Sequence, residues 1–106
     1  DLITLHVPNG GPFVYVSPSV QNLLGYTPEE LVGTLPLDLV YPDDRESMQP
    51  GNVQEIVRTN PASIFKMRLM HKDGSRRFFE SKISPIFHPE TGQMTMIQTL
   101  GRDVTE

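Results

Sequence analysis

Three histidines, an Asp-Asp pair and an Arg-Arg pair are the side chains that first invite a chemical reading of this sequence. His6, His71 and His88 fall in separate segments, so they form no pair at metal-ligand spacing and stand beside no nucleophile. Each reads as a solvated or hydrogen-bonded imidazole. Asp43 and Asp44 follow Pro42 at what looks like a helix start, where carboxylates serve as caps and meet the positive end of the helix dipole. Adjacent acids there are not a general acid-base pair. Arg76 and Arg77 are the only neighbouring bases in a chain of net charge -4, which gives no basic face for nucleic acid. The absence of cysteine excludes disulfides, thiolate catalysis, iron-sulfur clusters and cysteine-adduct photochemistry. It also permits a reducing cytoplasm. No catalytic constellation and no metal site emerges, so the chain is not expected to be an enzyme by itself.

The elements that must position these residues follow from local signals. With 106 residues, 37% hydrophobic and 21% charged, the chain has the composition of one soluble domain. No apolar run approaches the ~20 residues of a membrane span, and nothing reads as a signal peptide. Residues 2 to 7 and 13 to 16 are β-branched and aromatic, with Pro8-Asn9-Gly10-Gly11-Pro12 as the turn of a first hairpin. Ser17-Pro18 predicts a helix ending at Gly25, with Ser17 as its cap. Thr27-Pro28-Glu29-Glu30 predicts a second helix with a full capping box, closed by Gly33. Pro42-Asp43-Asp44 opens a third, which Pro50-Gly51 should break. Asn52 to Glu55 then restarts it as another capping box, burying Val53, Ile56 and Val57 until Asn60-Pro61.

From there the period becomes strand-like, over residues 63 to 71, 76 to 87 and 93 to 103. Asp73-Gly74 predicts a type I′ hairpin turn, and Pro85 an edge position or a bulge. Two strands, several short helices and three long strands imply an α+β domain with the helices on one face of a single sheet.

In that order, Tyr15-Val16-Ser17-Pro18-Ser19, Leu24-Gly25-Tyr26-Thr27-Pro28-Glu29-Glu30-Leu31-Val32-Gly33, Tyr41-Pro42-Asp43-Asp44-Arg45, Phe65-Lys66-Met67-Arg68-Leu69 with Lys72-Asp73-Gly74, and Gly101-Arg102-Asp103-Val104-Thr105-Glu106 resemble the PAS family of sensory domains over essentially the whole chain. The resemblance implies a five-stranded antiparallel sheet in the order 2-1-5-4-3, with helices enclosing a small cavity. It also implies a single domain, residues 1 to 106, of a bacterial signalling protein of histidine kinase or GGDEF diguanylate cyclase type. On that reading, the family's leading helix and the C-terminal output module fall outside these residues, and the domain is cytoplasmic even if its parent is membrane-anchored.

Phased on the family, strand alternation puts Phe65, Met67, Leu69, Phe79, Ser81, Ile83, Ile97 and Thr99 on the inner face. These are the candidate cavity residues for a small apolar or amphipathic ligand, although the same stripe would also make a packed core. Ser81 and Thr99 are the sharper candidates, because a hydroxyl on an apolar face must find a partner. The outer face would carry Phe78, Met94, Met96 and Leu100, apolar enough to be a dimer interface or the dock of the family's leading helix. Asp103 and Thr105 are the candidate signal relay, since Asp103-Val104-Thr105 resembles the family's Asp-Ile-Thr before the output linker. Flavin of the adduct-forming branch is excluded by the missing cysteine, and by Gly101 where that branch has glutamine. Residues 43 to 59 hold no histidine of the kind that haem-binding relatives use, which argues against haem. The cofactor is otherwise unknown. The competing reading is a purely structural dimerisation module with a packed, ligand-free core.

Overall fold

The computed structural model describes residues 1–106. It contains five strands and four short α-helices: β1 (Leu2–His6), β2 (Phe13–Val16), α1 (Val20–Leu24), α2 (Pro28–Leu31), α3 (Pro36–Leu39), α4 (Pro50–Thr59), β3 (Ile64–Met70), β4 (Arg76–Phe87) and β5 (Met94–Asp103). A 3-10 turn, Pro42–Asp44, lies between α3 and α4. The strands form one antiparallel sheet in the order β2-β1-β5-β4-β3, as the family resemblance implied. The two ends of the chain's strand set thus meet in the middle, β1 beside β5, which brings the N-terminal hairpin into register with the last strand.

The helical layer covers the inner face. Val20 and Leu24, four residues apart on α1, are sealed completely, together with Phe79 of β4. Phe13, Val16 and Leu31 close the core around them. Burying a side chain of the size of Phe79 contributes roughly 2–3 kcal/mol. The capping box predicted for α2 is present: the Thr27 amide donates to Glu30 Oε1 (2.9 Å), and the Glu30 amide donates to Thr27 Oγ1 (3.3 Å). Gly25 ends α1 in the left-handed region, at φ 82°.

Several local expectations are corrected. Ser17 does not cap α1, whose N-cap is Ser19; the Ser17 hydroxyl instead accepts the Ile3 amide (2.9 Å), tying β1 to the segment after β2. Pro50 does not break a helix but begins one, since its missing amide and fixed φ suit the first helical position. The Asn52–Glu55 box therefore does not form. Asn52 donates to the Ser47 carbonyl, and Glu55 binds Arg58. Ile56 lies on the solvent side of α4, and Val53 and Val57 are only half-buried. The Asp73-Gly74 hairpin is not type I′, because Asp73 keeps a negative φ. The Gly74 amide donates to the His71 carbonyl and Gly74 alone sits at φ 91°, as in a type I turn followed by a left-handed residue. Pro85 lies beyond the last β3 partner of β4, Lys82, so the missing amide interrupts no ladder on that side.

Asp44 is also more than a cap. Its carboxylate takes the Arg68 guanidinium in a two-point contact (2.7 and 2.9 Å) and accepts the Arg68 backbone amide (2.8 Å). The Tyr41 amide donates to the Arg68 carbonyl (2.7 Å), and the guanidinium lies 4.7 Å from the centre of the Tyr41 ring. The Pro42–Asp44 turn therefore occupies backbone groups on the outer side of β3, an edge strand that would otherwise offer them to another chain. The guanidinium holds the Asp44 carboxyl below its ordinary range, with the bond from the Arg68 amide adding to the effect.

Candidate functional site: a cavity between the sheet and the fourth helix

The strand alternation that fills the core beneath α1 leaves a hollow beneath α4. A cavity of about 640 Å³ lies between the inner face of the sheet and this helix, and 15 of its 28 lining residues are hydrophobic. No residue of α4 is fully buried; Val53 and Val57 pack only partly against the core, so this amphipathic helix covers the sheet loosely. Val53 and Val57 line the space from the helix, and Ile83 and Ile97 line it from the sheet. Gln54 Nε2 donates to Asn9 Oδ1 (2.8 Å), which joins the helix to the β1–β2 loop at the cavity rim.

Of the eight inner-face candidates, Met67, Leu69, Phe79, Ser81, Ile83, Ile97 and Thr99 line this cavity. Phe65 is buried but lies outside it. The Ser81 hydroxyl has a weak partner in Met67 Sδ at 3.5 Å. Gly101 sits directly across from Ser81, and a Cβ there would come within 3.1 Å of the Ser81 oxygen and 3.2 Å of the Phe79 ring. A side chain at Gly101 would thus press on the floor, which has to shift by a few tenths of an ångström to admit it.

Residues that the strand pattern left unassigned complete the site. Leu2, Thr4 and His6 alternate on the inner side of β1. His6 stacks edge-on against Phe13, with ring centres 6.3 Å apart, and burial lowers its pKa below the ordinary 6.5. The pairing of β1 with β5 was the signal that could have found all three. The other two histidines are turn residues: His71 Nδ1 accepts the Asp73 amide (3.1 Å) and His88 Nδ1 the Glu90 amide (3.1 Å). No group of three or more His, Cys, Asp or Glu side chains gathers where a metal could sit.

Met94 is a correction. It was assigned to the outer face, but the β4–β5 register shifts between Ile86 and Phe87, so that Phe87 pairs with Met94 while Ile86 pairs with Met96. The extra residue in this bulge, Thr95, turns Met94 inward, where it lines the cavity. Phe78 and Leu100 do lie exposed on the other face, 49% and 42% accessible, with Met96 half-covered. Ile3 and Ile64 extend the same apolar surface.

At the end of β5, Asp103 faces no cation. Its carboxylate accepts the Thr105 amide (2.8 Å) in a local turn, while Thr105 Oγ1 accepts the Phe78 amide (2.7 Å). The Val104 amide donates to the Phe78 carbonyl, so these last residues extend the pairing with β4.

An open sheet in this strand order, with helices curling over a cavity on one face, is the architecture of PAS domains. Residues 13–100 match the family model described as the PAS fold, and the chain belongs to that family. It is 27% identical over 97 residues to the aryl hydrocarbon receptor nuclear translocator homolog of Drosophila melanogaster, covering 92% of this chain. It is 34% identical over 71 residues to the White collar 2 protein of Neurospora crassa, covering 67% of this chain. The chain spans only 15% and 13% of the lengths of these two relatives. Among solved structures, the PAS domain of a Colwellia psychrerythraea protein superposes with a TM-score of 0.85 at 27% identity, over 98% of this chain and 86% of that one. PAS domains are sensory modules, generally without catalytic activity of their own, and they commonly dimerise. The similar proteins include eukaryotic ones, so a bacterial origin does not follow from family membership. No helix is long and apolar enough to cross a membrane.

Proposed function

We propose that this domain is the ligand-binding sensor of a larger signalling protein, and that filling the cavity moves α4 and the sheet and thereby changes the output of the parent chain. The observation that carries this reading is a helix with an apolar face but no buried residue, held above about 640 Å³ of mostly apolar space. A volume in the range of roughly 300–1,000 Å³ suits a small organic molecule. A ligand with more affinity for the closed than for the open arrangement would shift the population toward it. The route out is the end of β5, where the Asp103 carboxylate accepts the Thr105 amide and the Thr105 hydroxyl accepts the Phe78 amide. In the form we favour, the parent is cytoplasmic or membrane-anchored with its sensor in the cytoplasm, and carries a histidine kinase or GGDEF module; the likeness to the Colwellia domain supports only the bacterial part of that form.

Native mass spectrometry of the purified protein tests the reading directly. The expected result is a copurified small organic mass that is lost on denaturation. In the full-length parent, Asp103→Ala is expected to uncouple ligand from output, and an unchanged ligand-dependent output would remove Asp103 from the relay. A second reading, dimerisation through the outer face, is favoured by the exposed Ile3, Phe78 and Leu100. A protein always free of bound mass, but dimeric in a concentration-dependent way that Leu100→Glu abolishes, would put that structural role in place of sensing.

A further inference from the structure

Most polar groups around the cavity are already engaged within the protein, Ser81 with Met67, Asn9 with Gln54 and Arg58 with Glu55, which leaves one polar place on its floor free. Thr4 of β1 and Thr99 of β5 are directly paired across the strands, and both line the cavity. Directly opposed residues place their Cβ atoms about 5 Å apart. Thr4 is only 5% accessible, yet neither threonine hydroxyl makes a hydrogen bond within the protein, and neither is among the polar atoms that the fold seals off without a partner. Their free side is therefore the cavity.

His6, two residues beyond Thr4, lines the same wall. Its Nδ1 is sealed and has no partner, whereas its Nε2 is neither bonded nor sealed. A proton on Nδ1 would be a buried N–H without an acceptor, so the neutral ring carries its proton on Nε2 and offers a donor to the cavity. Burial disfavours the charged form of this histidine as well. The one charged side chain on the cavity wall is Arg58, which is exposed and engaged by Glu55 at 2.7 Å. The floor thus offers hydrogen bonds without a compensating charge, and an ionised head group buried there would lose its hydration for nothing.

Resting on the reading of the cavity as a ligand site, we propose that it takes an uncharged amphipathic molecule with one hydroxyl head, an alcohol or a phenol. The head binds on Thr4, Thr99 and His6, and the apolar body extends under Val53 and Val57. A hydroxyl both donates and accepts, which matches two threonine hydroxyls and one imidazole N–H.

Three probes with the same ring system separate the possibilities: 2-naphthol, naphthalene and 2-naphthoate, titrated calorimetrically into the intact domain at neutral pH. The site is located by amide chemical-shift changes at residues 4 and 99. The expected result is binding of 2-naphthol about tenfold tighter than either of the other two, the difference made by one to two net hydrogen bonds. The variant T4V/T99V keeps the β-branched shape, and is expected to bring 2-naphthol to the level of naphthalene while leaving naphthalene unchanged. Its melting temperature should not fall, because the hydroxyls it removes have no protein partner. Should that variant fold poorly, His6→Phe is expected to narrow the naphthol-to-naphthalene ratio alone. Equal binding of naphthol and naphthalene, or preference for naphthoate, would overturn the hydroxyl-head assignment while leaving the cavity a ligand site. No shift at residues 4 and 99 with any of the three would overturn both.

Discussion

The inner face of the sheet has two different coverings. Over one end lie α1 and α2, whose Val20, Leu24 and Leu31 are buried against Phe79 and its neighbours. This end is also fastened by polar links to the β3–β4 turn: the Lys72 amide donates to the Leu24 carbonyl (2.8 Å), and Lys72 Nζ meets Glu30 at 2.7 Å. Gly25 fits so closely there that a Cβ would lie 2.8 Å from the His71 ring. Over the other end lies α4, which buries no residue fully and is joined to the β1–β2 loop by the Asn9–Gln54 bond and the contact between Gly10 and Pro50. Stability is concentrated where the layer is packed, and room to respond where it is hollow, as expected if local opening free energies vary across one domain.

The largest effect that tests this contrast is at the packed end. Leu24→Ala deletes a side chain with no exposed surface and is expected to cost about 2–5 kcal/mol in urea unfolding. A cost near zero would mean that the end beneath α1 is no better packed than the cavity. Next comes the Asp44–Arg68 clamp, which belongs to neither covering. Asp44→Asn is expected to lower the melting temperature by less than Leu24→Ala, and to expose the β3 edge, read as faster exchange of the Arg68 amide. The clamp also gives the acid response a definite sign. The Asp44 carboxyl titrates below its ordinary 3.8 in the folded state, so its stabilisation is present above that value and is lost as pH falls through the lowered folded pKa. His6, also lowered by burial, adds a loss that begins as pH drops below 6.5, because the unfolded chain takes up that proton first. As pH falls, the His6 contribution to stability is therefore lost before that of the clamp, and His6→Phe is expected to remove only the first phase. Smaller again is Thr27→Ala, which breaks the α2 capping box at a cost of about 1 kcal/mol.

How legible this was in the sequence depends on the range of the signal. The five strands, their order and the Thr27 box rest on alternation, turn residues and ordered family motifs, all of which act locally or coincide along the chain. Seven of the eight inner-face residues follow from one parity choice in three strands. Met94 escaped because a single bulged residue reverses parity, and nothing in Gln93-Met94-Thr95-Met96 marks it. Pro50 was misread because a proline that breaks a helix and one that starts a helix look the same until the preceding turn is known. Asp44 and Arg68 are 24 residues apart, and a pairing over that distance leaves no trace in local pattern. The same holds for Thr4 beside Thr99, which only the meeting of the first and last strands creates.

The smallest expected effect is the sharpest test of the contrast. Val53→Ala removes two methyl groups from a half-exposed position on α4 and gains helix propensity in return, so the unliganded protein should change by no more than about 0.5 kcal/mol. A loss comparable to that of Leu24→Ala would show that α4 packs as tightly as α1 and that the hollow is closed in solution. With 2-naphthol present the same substitution should matter more, because Val53 then gains a further apolar partner in the cavity. The stabilisation conferred by ligand should therefore fall in the variant even though its own stability does not. A residue nearly silent in the empty protein and audible in the filled one is what a sensing helix requires, whereas a structural helix would lose the same amount in both states.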